Sequence, residues 1–317
     1  MLGGIEFGGT KTVCVVGERG HVLDEVRFPT GDDPAANLAR CADFFRSHGA
    51  LEGLGVGAFG PCDPDPRSAT YGTITTTPKP GWAGTDVLGS LAAALPGTVL
   101  AFDTDVNVAA LGELVHGAGR GLHSLVYLTI GTGVGGGLVA DGRLVHGLVH
   151  PEMGHIRLPR PPAESARFPG ICPFHGDCFE GVAAGPALEA RWGSPAQDIG
   201  VDDPRHAAMW ELEARYLAAA LHAYVCIVSP QRIVVGGGVG ENDELLMRTR
   251  PLLRESLAGY VDHLAVNRPD FVVTPALGNR SGAIGALELA YRAVVEAALP
   301  DQRGTPTRGH LSDPVAD

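Results

Sequence analysis

Two stretches of this chain set metal-ligating side chains beside carboxylates: Glu152-Met-Gly-His155 and Cys172-Pro-Phe-His175-Gly-Asp-Cys178-Phe-Glu180. Gaps of two residues let one loop turn a thiolate, an imidazole and a second thiolate toward three corners of a tetrahedron. His155 can supply the fourth. Nitrogen and sulfur donors at tetrahedral angles suit Zn²⁺. Two unrelated thiols and a few surface histidines are the competing reading, and the regular spacing speaks against it. Four protein ligands leave no position open for water. The zinc expected at His155, Cys172, His175 and Cys178 is therefore structural, fixing the loop that carries Glu152 and Glu180.

Three further segments could do chemistry, the first two by holding an anionic ligand. In Gly8-Gly9-Thr10-Lys11 the glycines expose backbone N–H groups, Thr10 adds a hydroxyl and Lys11 a positive charge. The order is not that of a Walker A loop, and an ordinary hairpin turn has the same composition. Gly131-Thr132-Gly133-Val-Gly-Gly136 spells G-x-G-x-x-G, with Glu152 near the spacing of a ribose-binding acid. A dinucleotide site needs a helix to follow, whereas residues 138–145 read as a hairpin, so a phosphate-gripping turn fits better. Phe102-Asp-Thr-Asp105-Val-Asn107 follows an apolar strand and opens a helix. Asp105 there can be a general base at a cleft or a helix cap, and Asn107 one turn inside could face the same ligand.

The elements that position these residues form an internal echo. Residues 5–25 and 125–147 each read strand, glycine turn, strand, turn, strand, and Gly9 to Gly20 repeats the separation of Gly131 to Gly142. Helices are expected over 34–48, 106–116, 185–192, 204–228, 244–258 and 282–298, with a buried strand at 232–236 running into Gly236-Gly237-Gly238. Alternating strands and helices in two halves imply two α/β domains. The expected bounds are 1–115 for a small domain, with the helix 282–298 packing back on it, and 116–281 for a larger one carrying the zinc loop. The Pro/Gly/Arg/Asp-rich end, 299–317, reads as a disordered tail.

Composition limits the function. A chain of 317 residues with 44% hydrophobic residues has ample material for two cores. Its formal charge of −12 argues against a nucleic-acid partner. Six scattered cysteines do not make a disulfide framework; Cys14, Cys41, Cys62 and Cys226 sit among apolar neighbours and read as core. No basic region followed by an apolar stretch opens the chain, and no apolar run is long enough to span a bilayer, so a reducing cytoplasm is expected. The 45 glycines imply tight turns and close backbone approaches to ligands.

Together these pieces resemble the ROK family of sugar kinases, of the actin-like ATPase (ribonuclease H-like) superfamily. The resemblance rests on Glu6-Phe-Gly8-Gly9-Thr10-Lys11, Thr104-Asp105-Val-Asn107 with Leu-Gly-Glu113, Ile130-Gly131-Thr132-Gly133, Glu152-Met-Gly-His155 and Val235-Gly236-Gly237-Gly238. It covers about residues 3–298. His175 in place of a cysteine, Glu6 in place of an aspartate, and the run from Tyr71 to Trp82 look like the family's zinc-containing fructokinases. The resemblance implies a duplicated βββαβα core with an interdomain cleft and an ATP-dependent hexose kinase using Mg²⁺. Asp105 would be the general base. Asn107, Glu152, His155 and Glu180 would lie at the sugar, and the three glycine segments at the nucleotide. Glu6 would bear indirectly on magnesium, its extra methylene leaving the coordination shell open. A homodimer is suggested. Glucokinase or mannokinase activity is the alternative, and a sugar-sensing regulator a remote one, since such regulators carry a helix-turn-helix ahead of the first strand.

Overall fold

The computed structural model describes residues 1–299, so the expected tail lies outside the described residues apart from Leu299. In chain order the elements are β1 (Leu2–Phe7), β2 (Lys11–Glu18), β3 (His21–Pro29), α1 (Pro34–Ser47), β4 (Gly53–Ala58), β5 (Thr73–Ile74), β6 (Thr85–Asp86), α2 (Val87–Ala94), β7 (Val99–Thr104) and α3 (Asp105–His116). The second half has β8 (Leu125–Ile130), β9 (Val134–Ala140), β10 (Arg143–Leu144), α4 (Pro162–Ser165), α5 (Phe179–Ala183), α6 (Gly185–Trp192), α7 (His206–Val228), β11 (Arg232–Gly236), α8 (Asp243–Leu257), β12 (Val272–Val273) and α9 (Ser281–Ala298).

Two five-stranded sheets repeat one topology, β3-β2-β1-β4-β7 and β10-β9-β8-β11-β12. In each, the first three strands are an antiparallel meander and the last two add in parallel. The glycine echo is thus a duplicated unit, and the G-x-G-x-x-G segment turns directly from β8 into β9 with no helix, as the hairpin reading required. Each half has its own core. One packs α1 and α2 against β1, β4 and β7 through Phe45, Leu54 and Leu91; the other packs α7 and α8 against β8 and β11 through Leu128, Leu217 and Leu245.

Helix α9 returns from the second half to cross β1, β4 and β7 and to pack on α3. Glycine makes this possible. A Cβ on Gly55 would lie 2.1 Å from Ala286 O, one on Gly112 2.4 Å from Ser281 O, and one on Gly285 1.8 Å from Val108 O. The glycine excess therefore serves helix approach as well as turns. Replacing Gly285 with Ala should force α3 and α9 apart and cost about 1–3 kcal/mol or more. A thermal melt would read this as a lowered Tm, and an unchanged Tm would contradict the crossing.

The structure corrects one core assignment. Cys14, Cys41 and Cys62 are buried, but Cys226 is exposed on the outer face of α7, beside Ile227 at 76% exposure. The apolar run there covers more than the stripe that packs inward. Among the described residues no helix is long and apolar enough to cross a membrane.

Candidate active site

Asp105 occupies the first position of α3, directly after the parallel strand β7. The cap of this helix is Thr104, whose hydroxyl accepts the Asn107 N–H at 3.1 Å. Asp105 is thereby released from capping. Its Oδ1 takes only the adjacent Val106 N–H, at 2.8 Å, and its carboxyl faces the cleft between the halves. Burial, then the charges of Glu6 and Glu152, push its pKa up to about 7. A carboxylate poised near neutrality can both take and release a proton.

The cleft holds a cavity of ≈ 330 Å³ whose walls include Glu6, Thr10, Lys11, Asp105, Gly237 and Gly238. Tyr127, Thr129, Glu241, Asn279, Ser281 and Gly282, which sequence reasoning does not single out, also line it. A second cavity of ≈ 330 Å³ lies at the far end of α7, lined by residues including Val225, Arg232 and Phe271; none of the expected site residues reaches it.

The first glycine turn closes with Gly8 N–H bonded to Lys11 O at 2.9 Å, and Thr30 Oγ1 donates to Gly8 O at 2.7 Å. At the second turn Gly131 N–H donates to Gly133 O, and Gly131 O accepts from Gly185 N–H at the start of α6. The third glycine segment meets the second. Ile130 O accepts the N–H groups of Val239 and Gly240 at 2.9 and 3.2 Å. Gly237 has φ +85°, and a Cβ there would lie 2.5 Å from the same carbonyl. Only glycine meets both conditions, so this loop runs as bare backbone along the cleft wall.

Glu6 sits on β1 with Oε2 buried and without a hydrogen-bond partner. Burial raises its pKa, an effect that Lys11 and Arg27 partly offset. A Cβ on Gly282 would lie 2.4 Å from this oxygen, so glycine at the start of α9 keeps the space open. An orphaned carboxylate oxygen beside a second carboxylate is the hard, anionic environment that Mg²⁺ fits.

The loop expected to bind zinc is assembled from a short 3-10 turn and the start of a helix. His155 ends a short 3-10 turn, and Cys178 is the N-cap of α5. His155 Nδ1 lies 3.5 Å from Cys178 Sγ and 3.8 Å from Cys172 Sγ, which is 3.6 Å from His175 Nδ1. All four donor atoms fall within 4.8 Å of one another. A tetrahedron built on Zn–S and Zn–N bonds of about 2.3 and 2.0 Å has edges of about 3.3–3.8 Å, so the sulfur–nitrogen separations above already match it and the donor set fits Zn²⁺ with a small closing movement of the remaining pairs.

The bracketing acids separate in role. Glu152 remains 42% exposed at its side chain, with its pKa pushed up to about 7 by burial and by Glu180. Glu180 Oε2 accepts the Val134 N–H at 3.0 Å and would lie 2.8 Å from a Cβ on Gly133. Its carboxylate thus ties the start of α5 to the second glycine turn as well as facing Glu152. Asn107 is buried; its Nδ2 donates to Asp103 Oδ1 at 2.8 Å and its Oδ1 accepts the Leu138 N–H. It therefore holds the base of α3 to β9. The Tyr71–Trp82 run carries β5 and most of the connection to its partner β6, with Tyr71 Oη accepting the Phe102 N–H and Trp82 fully buried.

Glu113 enters the sequence reading only as part of a motif, yet it is a heavily bonded buried acid. It accepts from Ala118, Ala276 and Leu277 N–H groups and from Ser281 Oγ, pinning the end of α3 to the start of α9.

A family model described as "ROK family" matches residues 2–293. A Bacillus subtilis (strain 168) protein, described provisionally as a fructokinase, is 45% identical over 96% of this chain and 100% of its own length. A fructokinase of Pediococcus pentosaceus is 40% identical over 94% of this chain and 100% of its length. Among solved structures, a ROK family glucokinase from Streptomyces griseus in complex with glucose and AMPPNP superposes with a TM-score of 0.72 at 27% identity, over 92% of this chain and 99% of that one.

Proposed function

Because this chain belongs to the ROK family of sugar kinases, with their actin-like fold, we propose that it is an ATP-dependent fructokinase forming fructose 6-phosphate and ADP. The observation that carries the chemistry is Asp105, uncommitted at the N-terminus of α3 and facing the cleft with Glu6, Thr10 and Lys11. Fructose is favoured over glucose because the relatives described as fructokinases are 40–45% identical, whereas the glucokinase structure is 27% identical.

In this reading the acceptor sugar lies among Asp105, Glu152, Glu180 and the free face of His155. His155 Nδ1 faces the two thiols, so zinc held there would leave the ring proton on Nε2 as a donor. Asn107 acts one step back, by fixing the turn that carries Asp105. The triphosphate runs along Gly8–Lys11, Gly131–Gly133 and Gly236–Gly238. Asp105 takes the proton of the sugar's primary hydroxyl as that oxygen bonds to the γ-phosphorus and the bond to the β-phosphate oxygen breaks, releasing ADP. Mg²⁺ held near Glu6 would supply charge neutralisation to the phosphates. Lys11 adds a fixed positive charge, and zinc at the four ligands holds Glu152 and Glu180 in place. The reading also carries a cytoplasmic homodimer.

A base of this kind implies a pH dependence. Only ionised Asp105 accepts a proton, so kcat/KM should fall tenfold per unit as pH drops below the base's pKa. That limb should bend at or somewhat below pH 7, since a bound cation favours the carboxylate. A flat profile between pH 5 and 8 would contradict it. Product analysis tests the acceptor: incubation of fructose with Mg·ATP should give the 6-phosphate by NMR, and the 1-phosphate as sole product would contradict the reading.

A further inference from the structure

The reading above leaves two histidines unused, His146 and His150, on the segment that joins β10 to the zinc ligand His155. Both reach from the second half of the molecule to the first. His146 Nε2 lies 2.8 Å from Asp103 Oδ2, and Asp103 is on β7, two residues before the expected base. The other Asp103 oxygen accepts the Thr104 N–H and Asn107 Nδ2, each at 2.8 Å. Asn107 Oδ1 then accepts the Leu138 N–H of β9. A continuous chain of hydrogen bonds thus runs from the second half, through the first turn of α3, and back to the second half.

His150 makes the other crossing. Its side chain is 5% exposed, and its Nε2 accepts the Cys62 N–H at 3.3 Å. An acceptor Nε2 requires a neutral ring with its proton on Nδ1, and Nδ1 stands 3.6 Å from Glu152 Oε1. The fit is close on the far side: a Cβ on Gly60 would lie 3.0 Å from His150 Cε1. Burial also holds the His150 pKa below its usual value, whereas the Asp103 hydrogen bond raises that of His146. One histidine therefore donates to a carboxylate and the other accepts from backbone, on the same segment. The surrounding charges agree: Asp103, Asp105, Asp63 and Glu152 all act on the buried Cys62 thiol, so these carboxylates share one neighbourhood.

We propose that residues 144–152 form a clasp between the two halves at the sugar end of the cleft, with His146 and His150 as positioning residues for the acceptor sugar. His146 fixes the turn carrying Asp105 by holding Asp103, and His150 holds Glu152 against the 60–62 turn of the first half. Neither touches the reacting atoms. The inference rests on the sugar-kinase reading, because it assigns Asp105 and Glu152 to the sugar. The nucleotide side is lined by other residues, Thr10, Lys11, Gly237, Gly238 and Asn279 among them. Loss of the clasp should therefore fall on the sugar and spare ATP.

The test is steady-state kinetics of ADP release on the zinc-loaded chain, varying sugar and ATP separately, for His146→Leu, His146→Gln and His150→Leu. Glutamine can present a donor near the position of Nε2 and should rescue most of the loss. The expected result is a sugar kcat/KM lowered 10–100-fold in both leucine variants, with the KM for ATP within threefold of wild type. His146→Gln should lie within threefold of wild type on both substrates. If one leucine variant fails to fold, the other and the glutamine variant still decide the matter. Wild-type sugar kinetics in the leucine variants, or a KM for ATP raised as much as the KM for the sugar, would overturn the clasp alone. A wild-type chain that phosphorylates no hexose would overturn the kinase reading, and the clasp as a sugar device with it.

Discussion

Asp105→Asn should lower kcat with fructose by about 10³-fold or more while leaving the fold and sugar binding largely intact. General-base catalysis contributes about 10²–10⁴-fold, and an amide cannot accept the proton. The hydrogen-bonding frame survives the change, because Thr104, not Asp105, caps α3 and Asn107 stays bonded to Asp103. Stability should move in the opposite direction. Asp105 has a folded pKa of about 7 against an ordinary value of 3.8, so the folded state binds its proton more tightly than the unfolded one. A group of that kind costs stability as pH rises from about 4 to about 7, and the cost is complete above that window. The asparagine variant escapes the cost. Without ligands at pH 8 it should be more stable than wild type by on the order of 1–3 kcal/mol, an advantage that fades toward pH 4. Urea titrations at pH 8 and pH 5 check the sign. A variant that keeps near-normal turnover, or that is destabilised at pH 8, would remove Asp105 from its assigned role.

Stripping zinc should cost both stability and activity. Without the ion, two thiols and two imidazoles with donor atoms within 4.8 Å have only weak mutual hydrogen bonds to hold them. The ligands tie together the 3-10 turn at 153–155, the 172–178 loop and the start of α5, so the segments carrying Glu152 and Glu180 would lose their common anchor. The loss should exceed about 2 kcal/mol, which for a chain of this size lowers Tm by about 3 °C or more. Displacing Glu152 and Glu180 should cost at least tenfold in kcat/KM for the sugar. Differential scanning before and after chelation, with metal analysis and zinc add-back, measures both effects. Cys178→Ser should reproduce them without a chelator. Purified protein that holds no zinc, or that ignores chelation, contradicts the metal site.

The duplicated hairpins, the β8–β9 turn and the long helices could be read in the sequence because each has a strong local signal. Apolar periodicity marks α7 and α8, and paired glycines between apolar strands mark the meanders. Strand β4 was missed for an equally local reason. Gly53-Leu-Gly-Val-Gly-Ala looks like a turn-rich segment, and its glycines are needed only because other elements lie on it, α3 at Gly57 and, from more than two hundred residues away, α9 at Gly53 and Gly55. That His155, Cys172, His175 and Cys178 converge was legible because three of them fall within seven residues and fold together at short range. Asp103, His146 and His150 were not legible. A histidine gains meaning only from the group it faces, and Asp103 is brought to His146 by the approach of two sheets. Glu113 shows the same limit: spacing fixed its place on α3, but not the three backbone groups of 118, 276 and 277 that make it a bracket.

The most direct test of the account is ADP release with Mg·ATP across fructose, glucose, mannose and galactose, each over a range of concentrations. The account predicts turnover with fructose at a kcat/KM at least tenfold above that for any other hexose in the set. A clear preference for glucose or mannose would contradict the fructokinase assignment, and no turnover with any of the four would contradict the sugar-kinase reading as a whole.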